Sequence, residues 1–418
     1  MTDFLRILFI VPYAPTLIRT RPYNLVRFLA RRGHRITLAT LWEHEDERAF
    51  LGRLAQEEGI QVLAAPLGVV RKLGNLTTGL FTHEPLQARY CWSSGFARRL
   101  EKTVREGEFD VIHVEHLRGV RYALHLQSQF SHANPKSLPP IVWDSVDSIT
   151  HLFEQASQQS QSLKGRVMTK VELGRTRRYE TWLLGQFQHV LVTSPKDKAA
   201  FQSLIFNHQS APITVLPNGV DLRYFYPDDS LRKPATLVFS GKMSYHANVT
   251  AAVFLVKEIM PRVWRRRPDV QVQIVGKDPT REVQALASGE PRVTVTGLVP
   301  DIRPYLRQAA LAVSPIRYGA GIQNKVLEAM ACGAPVIASS LAVSALAVTP
   351  GQELLVADDP DDFAQQILRL LETPSLRERL SRSGRAYVEA HHDWGVIVAN
   401  LEAIYRTVMN SNGSPHDD

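Results

Sequence analysis

GIQNKVLEAMACG, which runs from Gly321 to Gly333, follows a short apolar run at residues 311–316. Its apolar residues recur at helical spacing from about Asn324 onward. Gly333, with Pro335 close behind it, is typical of a helix end. The pattern therefore predicts a strand, a glycine-containing loop and a helix in succession, which is the repeating unit of a doubly wound α/β protein.

The charges at the start of this helix indicate an anionic ligand. Lys325 in the first turn is unfavourable beside the partial positive charge of a helix N-terminus, unless an anion lies there. Backbone amides, Lys325 and Arg317 would converge on a phosphate, and Gly319 and Gly321 would let the backbone approach it closely. Glu328, one turn further on, would accept hydrogen bonds from the hydroxyls of a ribose. The interpretation is a nucleotide-diphosphate site; the alternative is an ordinary βα loop with a solvated glutamate.

Size and composition describe a globular chain of two or three domains. It has 418 residues, of which 44% are hydrophobic and 22% charged, as expected of a chain that buries large cores. Its two cysteines, Cys91 and Cys332, offer no disulfide framework, which suits a reducing compartment. No apolar run approaches the roughly 18 residues that span a bilayer. The apolar opening at residues 4–14 is interpreted as a buried strand instead of a signal peptide, so we expect a cytoplasmic protein.

Positive charge is concentrated in the first half of the chain. The formal net charge is +8, and the whole excess lies in residues 1–210, in clusters around residues 27–35, 98–105 and 175–178. Such clusters are most often solvated helix faces. The alternative is attraction to an anionic membrane, which would place the protein peripherally at the inner face of the plasma membrane. Nucleic acid is not an expected partner, because the sequence shows no recognition module and no interleaved aromatic residues.

Short apolar runs alternate with helical patterns along the chain. They are rich in Val, Ile and Leu without strict alternation, which is typical of parallel strands buried on both faces. The predicted strands lie at residues 6–13, 34–41, 60–66, 110–115, 140–147 and 189–194, and then at 236–241, 270–277, 292–298, 311–316, 335–339 and 353–358. Two such series predict an α/β protein of two Rossmann-like, doubly wound parallel-sheet domains facing a central cleft.

The domain boundaries follow from where helical patterns end and prolines appear. We predict a first domain at residues 1–208 and a second at residues 209–385. A C-terminal helix at about 386–410 is expected to pack back onto the first domain, and residues 411–418 are interpreted as a disordered tail.

Ligands of open parallel sheets lie beyond the carboxyl ends of the strands. In the second domain, the segments in this position are 241–242, 276–277, 297–299 and 317–325. In the first domain they are 13–21, 115–116 and 144–147. The pattern predicts a ligand held between the two domains.

Several stretches, in their order and spacing, resemble the family 4 retaining glycosyltransferases with the GT-B fold. In the second half they are VLPNGVD at 215–221, FSGKMSY at 239–245, TGLVPD at 296–301 and the segment 317–336; in the first half they are RRGH at 31–34 and RYE at 178–180. The resemblance covers nearly the whole chain and is strongest to bacterial enzymes of exopolysaccharide and cell-surface glycan synthesis. It implies transfer of a sugar from a nucleotide diphosphate sugar to a hydroxyl of a glycan, a lipid-linked acceptor or another small acceptor.

The resemblance also implies roles for individual residues. Glu328 matches the second glutamate of the family's Glu-x7-Glu motif, which binds the ribose, and Lys325 and Arg317 match the cations that face the diphosphate. These three are the predicted catalytic residues. The predicted donor-binding residues are Gly241, Lys242, Gly276, Leu298, Val299, Gly319, Ala320, Gly321 and Ile322. Neither a metal nor a cofactor beyond the donor substrate is expected, because the cations would stabilise the charge of the leaving diphosphate.

The chain departs from the family pattern at three places. Ala320 stands where the first glutamate of the motif would fall, and Asn248 stands where the second cation of an Arg-x5-Lys pair would fall. After the first strand, residues 16–21 replace the usual glycine pair; Arg19 and Arg21 would either bind phosphate there or only contact surface carboxylates. The remaining candidates on the acceptor side are His116, Asp144 and Asp147.

Two other functions are compatible with the same architecture. A sugar-nucleotide epimerase needs carboxylates that deprotonate the sugar, and we find no such pair in the first domain. A non-catalytic GT-B subunit that binds a nucleotide sugar is favoured by Ala320, whereas Lys325 and Glu328 count against it.

Overall fold

The computed structural model of the chain describes residues 4–17, 19–131, 138–159, 163–205, 210–228, 231–318 and 324–413, with side chains for all of these except 155–159, 163–170 and 412–413. The chain divides into two compact units. The first comprises Met1–Pro217 and Val398–Asp418, and the second comprises Asn218–Ile397.

The first unit contains one parallel sheet. Its strands are β1 Arg6–Val11, β2 Arg35–Trp42, β3 Gln61–Pro66, β4 Val111–Glu115, β5 Ile141–Val146, β6 His189–Val192 and β7 Ile213–Val215. They are hydrogen-bonded in the order β3-β2-β1-β4-β5-β6-β7, and all paired neighbours are parallel. The strand order reverses between β1 and β4, which is the switch point where ligands bind in doubly wound sheets.

Helices connect these strands. They are α1 Thr20–Arg31, α2 Glu45–Glu58, α3 Val69–Gly79, α4 Leu86–Tyr90, α5 Ser94–Glu106, α6 His116–Ser131, α7 Ile149–Gln159, α8 Leu163–Leu183 and α9 Pro195–Leu204. The core between sheet and helices is rich in aromatic residues, and Phe96, Tyr122, Trp143 and Phe201 are fully buried there.

The second unit repeats the plan on a smaller sheet. Its strands are β8 Lys233–Ser240, β9 Gln271–Val275, β10 Val293–Val295, β11 Ala309–Ser314, β12 Val336–Ala338 and β13 Leu355–Val356. Their order is β10-β9-β8-β11-β12-β13, with parallel pairing throughout. The helices are α10 His246–Phe254, a π-helical turn Leu255–Ile259, α11 Met260–Trp264, α12 Arg281–Gly289, α13 Arg303–Gln308, α14 Asn324–Ala331, α15 Pro360–Glu372 and α16 Pro374–His391. The predicted class, two Rossmann-like units on parallel sheets, is confirmed.

Local sequence signals explain several helix ends. The side chains of Ser93, Ser194 and Thr280 accept hydrogen bonds from backbone amides at the starts of α5, α9 and α12, as N-cap residues do. Helix α14 ends at Ala331. Gly333, two residues further on, has a φ of 68°, and its amide and that of Ala334 bond back to carbonyls of the last turn. The helix predicted from GIQNKVLEAMACG therefore forms, with its described part beginning at Asn324.

The unit boundaries differ from the predicted ones. The predicted junction after residue 208 missed β7, a three-residue strand that pairs with β6 in the first sheet, so the first unit continues to Pro217. A strand this short between prolines has too little periodicity to stand out in the sequence. Helix α16 stays in the second unit because Leu376, Leu380 and Val388 are buried in its core. The helix predicted at 386–410 is instead α17, Trp394–Gly413.

Helix α17 begins in the second unit, and its residues from Val398 onward belong to the first. Within the first unit, Glu402 accepts hydrogen bonds from Arg32 at 2.5 and 2.8 Å and lies 2.7 Å from His34 Nε2. The helix extends into the segment predicted as a tail, and residues 414–418 of that segment lie outside the described residues.

Candidate functional site

One edge of the second sheet brings several predicted residues together. Gly241 follows β8 and Gly276 follows the neighbouring strand β9, with φ values of 150° and 151°. A Cβ on Gly276 would lie 1.7 Å from the Gly241 carbonyl oxygen, and a Cβ on Gly241 would lie 2.7 Å from Asn248 Nδ2 and 3.3 Å from Lys325 Cε. Only glycine fits at either position, and it lets the two loops pack backbone against backbone.

Lys325 extends from the first turn of α14 towards these loops. Its Nζ donates a hydrogen bond to Asn248 Oδ1 at 2.6 Å, and Asn248 Nδ2 donates to the Lys242 carbonyl at 3.0 Å. Nζ also lies 5.5 Å from the centroid of the Phe239 ring, close enough for a cation–π interaction. The edge therefore holds a positioned ammonium group beside two glycine-containing turns.

Glu328 lies one turn beyond Lys325 on α14, and burial changes the proton affinity of both. Burial raises the pKa of the Glu328 carboxyl to about 7, although Lys325 acts in the opposite direction. Burial lowers the pKa of the Lys325 ammonium to about 8, although Glu328 acts in the opposite direction. A cation and a carboxylate that both titrate near neutrality are typical of a functional site, since a stable surface pair has no such perturbation.

The segment after β11 supplies a second cation. Arg317 is exposed, and its Cζ lies 4.8 Å from the centroid of the Phe254 ring. The next residue, Tyr318, has its hydroxyl 3.3 Å from Thr250 Oγ1 on α10. Lys242 is exposed at the end of the turn after β8. All three predicted cations thus come from loops or helix starts at the carboxyl edge of this sheet.

The predicted base-binding stretch follows β10. Leu298 is 77% exposed, whereas Val299 is partly buried against the core. Leu298 follows β10, the outermost strand on this side of the sheet, and its exposed side chain offers an apolar surface on which a planar base can lie. Four other predicted donor-binding residues, Gly319, Ala320, Gly321 and Ile322, lie outside the described residues.

In the first unit, Arg21 and Asp144 form a buried ion pair. Arg21 Nε and Nη2 lie 2.9 and 2.7 Å from Asp144 Oδ2, and the side chains are 4% and 0% exposed. Burial by itself would raise the pKa of Asp144, but Arg21 and His113 outweigh it and the pKa lies below its ordinary value. His113 Nδ1 is 2.8 Å from the Tyr405 hydroxyl on α17. Arg21 is therefore an interior residue, and its partner is a buried carboxylate instead of a surface one.

A second acidic group lies at the adjacent strand end. Glu115, the last residue of β4, accepts a hydrogen bond from the Tyr13 hydroxyl at 2.9 Å. Its other oxygen is buried and has no hydrogen-bond partner among the described residues. Burial, with Asp144 nearby, raises the pKa of Glu115 to about 8. His116, which follows it, has a φ of 63°, and burial with Arg118 lowers its pKa to about 3.

The other two acceptor-side candidates, Arg19 and Asp147, have hydrogen-bond partners within the first unit. Arg19 donates to the Ala14 carbonyl at 3.0 Å and to Glu47 at 3.2 Å. Asp147 accepts a hydrogen bond from Thr193 at 3.2 Å, and burial, together with Asp197, raises its pKa to about 6.

Backbone strain marks this edge of the first sheet. His116 after β4 and Val146 at the end of β5 both have left-handed φ values, of 63° and 70°. Such conformations are unfavourable for residues other than glycine and concentrate at binding and catalytic sites. His116 follows β4 at the switch point, and Val146 ends the neighbouring strand β5, so the edge is a second candidate binding site.

Several residues at the two edges were not predicted as site residues from the sequence. Asn248 was noted only as a departure from a motif, Phe239 only as the start of the FSGKMSY stretch, and Tyr13 only as the start of a segment beyond a strand end. The sequence placed Glu115 at this edge but did not indicate that its carboxyl is buried and has a raised pKa. Burial and partners across the fold define these roles, and neither can be read from local spacing.

The described residues contain no group of three or more His, Cys, Asp or Glu side chains arranged to hold a metal ion. The sequence Asp-Pro-Asp at 359–361 has metal-ligand residue types, but it caps a helix: the Asp359 carboxylate accepts hydrogen bonds from the amides of Asp361 and Asp362. No helix among the described residues is both long enough and apolar enough to cross a bilayer.

Comparison with known families covers both units. Residues 18–219 match the family described as “Glycosyl transferase 4-like domain”. Residues 234–373 match the family described as “Glycosyl transferases group 1”. The chain belongs to the family 4 glycosyltransferases with the GT-B fold, and it is a glycosyltransferase.

Individual relatives are mannosyltransferases by name. A phosphatidyl-myo-inositol mannosyltransferase of Mycolicibacterium smegmatis is 25% identical over 337 residues, which cover 78% of each chain. The Mycobacterium tuberculosis protein of the same name is 29% identical over 209 residues, 47% of this chain and 54% of that protein. A GDP-mannose-dependent monoacylated alpha-(1-6)-phosphatidylinositol monomannoside mannosyltransferase of Corynebacterium glutamicum is 29% identical over 211 residues, 46% and 55% of the two chains. The last two matches span about half of those proteins.

Solved structures show the same fold. Sucrose-phosphate synthase from Thermosynechococcus elongatus superposes with a TM-score of 0.66 at 19% identity, covering 97% of this chain and all of that one. The Anabaena protein HepE in complex with UDP and glucose superposes with a TM-score of 0.68 at 14% identity, covering 96% and 100% of the two chains.

Proposed function

We propose that this glycosyltransferase moves a sugar from a nucleotide diphosphate sugar to a hydroxyl of a glycan or lipid-linked acceptor. In this proposal the configuration at the anomeric carbon is retained and no metal takes part. The reaction would belong to the synthesis of cell-surface polysaccharide. The observation that carries the proposal is the pairing of Lys325 and Glu328 on α14 beside the Gly241 and Gly276 turns. A cation, a carboxylate and two close backbone turns at one sheet edge match a diphosphate with a ribose attached.

The cations provide the electrostatic part of the mechanism. As the bond between the anomeric carbon and the phosphate oxygen breaks, negative charge accumulates on the leaving diphosphate. Lys325, Arg317 and Lys242 are at the same sheet edge and stabilise that charge more strongly in the transition state than in the ground state. In this proposal they supply the positive charge that a metal ion supplies in other transferases.

Glu328 binds the nucleotide in the ionised form. A carboxylate accepts two hydrogen bonds from the vicinal hydroxyls of a ribose, and such charged hydrogen bonds contribute about 1.5–3 kcal/mol. Leu298 contacts one face of the base, and the Gly276 turn approaches its edge.

The names of the relatives suggest the first donor and acceptor to test. The Corynebacterium glutamicum relative is GDP-mannose-dependent by name and acts on a phosphatidylinositol mannoside. We propose GDP-mannose as the donor and a lipid-linked glycoside as the acceptor. UDP-glucose is the matched alternative, since the Anabaena protein of the same fold was solved with it.

The edge of the first sheet is the proposed acceptor site. Arg21 and Asp144 form a rigid buried pair. Glu115 ends the neighbouring strand β4, and Tyr13 follows β1. With a pKa of about 8, Glu115 is mostly protonated at neutral pH and donates a hydrogen bond to an acceptor oxygen. His116, with its depressed pKa, is a neutral imidazole at this edge.

A helix of the first unit supports the proposal of peripheral membrane contact. On and after α3, Val70 is 85% exposed and Phe81 is 90% exposed, with Val69, Leu73 and Leu80 also exposed. Together with the positive charge of the first half, this apolar surface fits an anionic bilayer. We expect Val70→Ser with Phe81→Ser to weaken sedimentation with anionic vesicles at low salt. The control is Leu231→Ser, at a residue that is 91% exposed in the second unit. Equal vesicle binding by the wild type, the double variant and the control would exclude this surface as a membrane contact.

The central test is calorimetric binding of GDP-mannose, UDP-glucose and a wider panel of sugar nucleotides to the wild-type chain and to Glu328→Ala. We expect one nucleotide class to bind, and the variant to lose it, while Glu282→Ala, at an exposed glutamate of the same unit, retains it. Absence of binding across the panel would refute the proposed donor site. Transfer in EDTA, with the anomeric configuration of the product read by NMR, tests metal independence and retention separately.

A further inference from the structure

The contacts of Asn248 assign it a part in the reaction that no motif reveals. It occupies the first turn of α10, is 5% exposed, and contacts Lys325 at 2.6 Å and the Lys242 carbonyl at 3.0 Å. We propose that Asn248 is a positioning residue that holds the Lys325 ammonium at the diphosphate site. This inference rests on the proposed function, because it depends on Lys325 facing the leaving group.

The two contacts determine the orientation of the Asn248 amide. A lysine ammonium only donates hydrogen bonds, so the amide oxygen must face Lys325. A backbone carbonyl only accepts them, so the amide nitrogen must face Lys242. Asparagine is the residue of this length that satisfies both partners at once, whereas aspartate loses the donor and lysine loses the acceptor.

The surrounding backbone keeps the amide in place. The Asn248 backbone amide bonds to the Tyr245 carbonyl at 2.8 Å, which anchors the residue at the start of α10. A Cβ on Gly241 would lie 2.7 Å from Asn248 Nδ2, so no side chain at position 241 can separate the amide from the turn. A displacement of Asn248 would therefore move the Lys325 ammonium relative to the Gly241 turn.

The charged groups around Lys325 make its proton affinity a sensitive readout. Glu328 faces it from its own helix. Helix α10 contributes Asn248 and strand β8 contributes Phe239, which are uncharged. An aspartate at position 248 would place a second carboxylate within about 3 Å of the ammonium and raise the pKa of Lys325 by about one unit or more.

The first experiment follows Lys325 without any ligand. The Cε carbons of lysine are labelled with ¹³C in the full chain, the Lys325 signal is assigned by its loss in Lys325→Ala, and its pKa is measured in the wild type, Asn248→Ala and Asn248→Asp. We expect Asn248→Asp to raise the pKa of Lys325 by about one unit or more relative to the wild type. A pKa that is the same in all three proteins would overturn the inference.

The second experiment measures turnover against pH in a double-mutant cycle. We expect Asn248→Ala to lower kcat about tenfold and to have no further effect in the Lys325→Ala background, because it acts through that lysine. We also expect Asn248→Asp to move the alkaline limb of the kcat/KM profile to higher pH. Independent, multiplicative losses in the double variant would overturn the inference.

A neighbouring variant controls for general damage to α10. Val249 is 7% exposed in the core, and Val249→Ala perturbs the same helix without touching Lys325. We expect it to lower the thermal midpoint and to leave the Lys325 pKa unchanged. Failure of the proposed function has a different signature: no sugar nucleotide binds the wild type, although the Lys325 pKa still responds to Asn248→Asp.

Discussion

Glu328→Gln should remove the pH dependence of donor affinity below about pH 7. In the wild type, burial raises the pKa of Glu328 to about 7, and the proposed ribose contact needs the ionised carboxylate. Because this pKa lies above the ordinary value of a glutamate, the ionised form is lost as pH falls through about 7. Donor affinity should therefore fall about tenfold per pH unit on the acid side. Burial lowers the pKa of Lys325 to about 8, so affinity should also fall above that pH.

The size of the effect follows from these two values. At about pH 7.5 roughly three quarters of Glu328 is ionised, whereas at about pH 5.5 only about 3% is ionised. Wild-type affinity should therefore be roughly 25-fold lower at about pH 5.5 than at about pH 7.5. Glutamine has the same shape and no charge. At about pH 7.5 the variant should bind the donor about ten- to a hundredfold more weakly than the wild type, which is the equivalent of one charged hydrogen bond. At about pH 5.5 the donor affinities of the two proteins should be similar.

The assay is isothermal calorimetry of the intact sugar nucleotide, whose phosphodiester groups do not titrate in this pH range. Affinities of the wild type and the variant are compared at half-unit steps of pH. The reasoning would be refuted if both proteins showed the same pH dependence below pH 7, because the acid limb would then belong to another group. A variant that binds as tightly as the wild type at about pH 7.5 would also exclude the ribose contact.

Three further predictions concern the two sheet edges. Lys325→Ala should slow transfer by about one to two decades, the value of a charged hydrogen bond to the leaving group, in a steady-state assay with saturating donor. Gly276→Ala should abolish donor binding or prevent folding, since its Cβ would lie 1.7 Å from a carbonyl oxygen, as followed by calorimetry and thermal unfolding. Arg21→Met should destabilise the protein by about 3–5 kcal/mol, because it leaves the buried Asp144 carboxylate unpaired, and urea unfolding measures the loss.

Each of these changes has a matched control in the chain. Lys257 is an exposed lysine of the second unit, and Lys257→Ala should leave turnover unchanged. Gly289 has open space around its Cβ position, so Gly289→Ala should fold and bind normally. Arg31 is 42% exposed in its pair with Glu58, and Arg31→Met should cost less than about 1 kcal/mol. Equal effects in a variant and its control would contradict the corresponding prediction.

Much of the architecture could be predicted from apolar periodicity. The described strands overlap all twelve predicted ones, because strands buried on both faces are continuous apolar runs bounded by glycine, proline or charge. The missed strand, β7, has only three residues, and its existence depends on pairing with β6. The unit boundary at Pro217 depends on the same pairing. Contacts of this kind join residues far apart in sequence, and no local window contains them.

The sequence predicted the position of the donor-side edge, but it did not predict the side-chain contacts there. A lysine in the first turn of α14, with a glutamate one turn on, indicates an anion with hydroxyls nearby. The hydrogen bond from Lys325 to Asn248 joins positions 77 residues apart and is not visible in the motif. The pKa values near neutrality likewise depend on burial, which only the packed unit determines.

The sequence by itself determined the fold class, the family and the edge of the second sheet at which the donor is proposed to bind, because these depend on local periodicity and on the order of short motifs. The tertiary structure decided which groups are paired and which are available. It placed Arg21 on a buried carboxylate, left one oxygen of Glu115 without a hydrogen-bond partner among the described residues, and joined Asn248 to Lys325. These outcomes depend on desolvation and on contacts between distant segments, and both are properties of the folded chain.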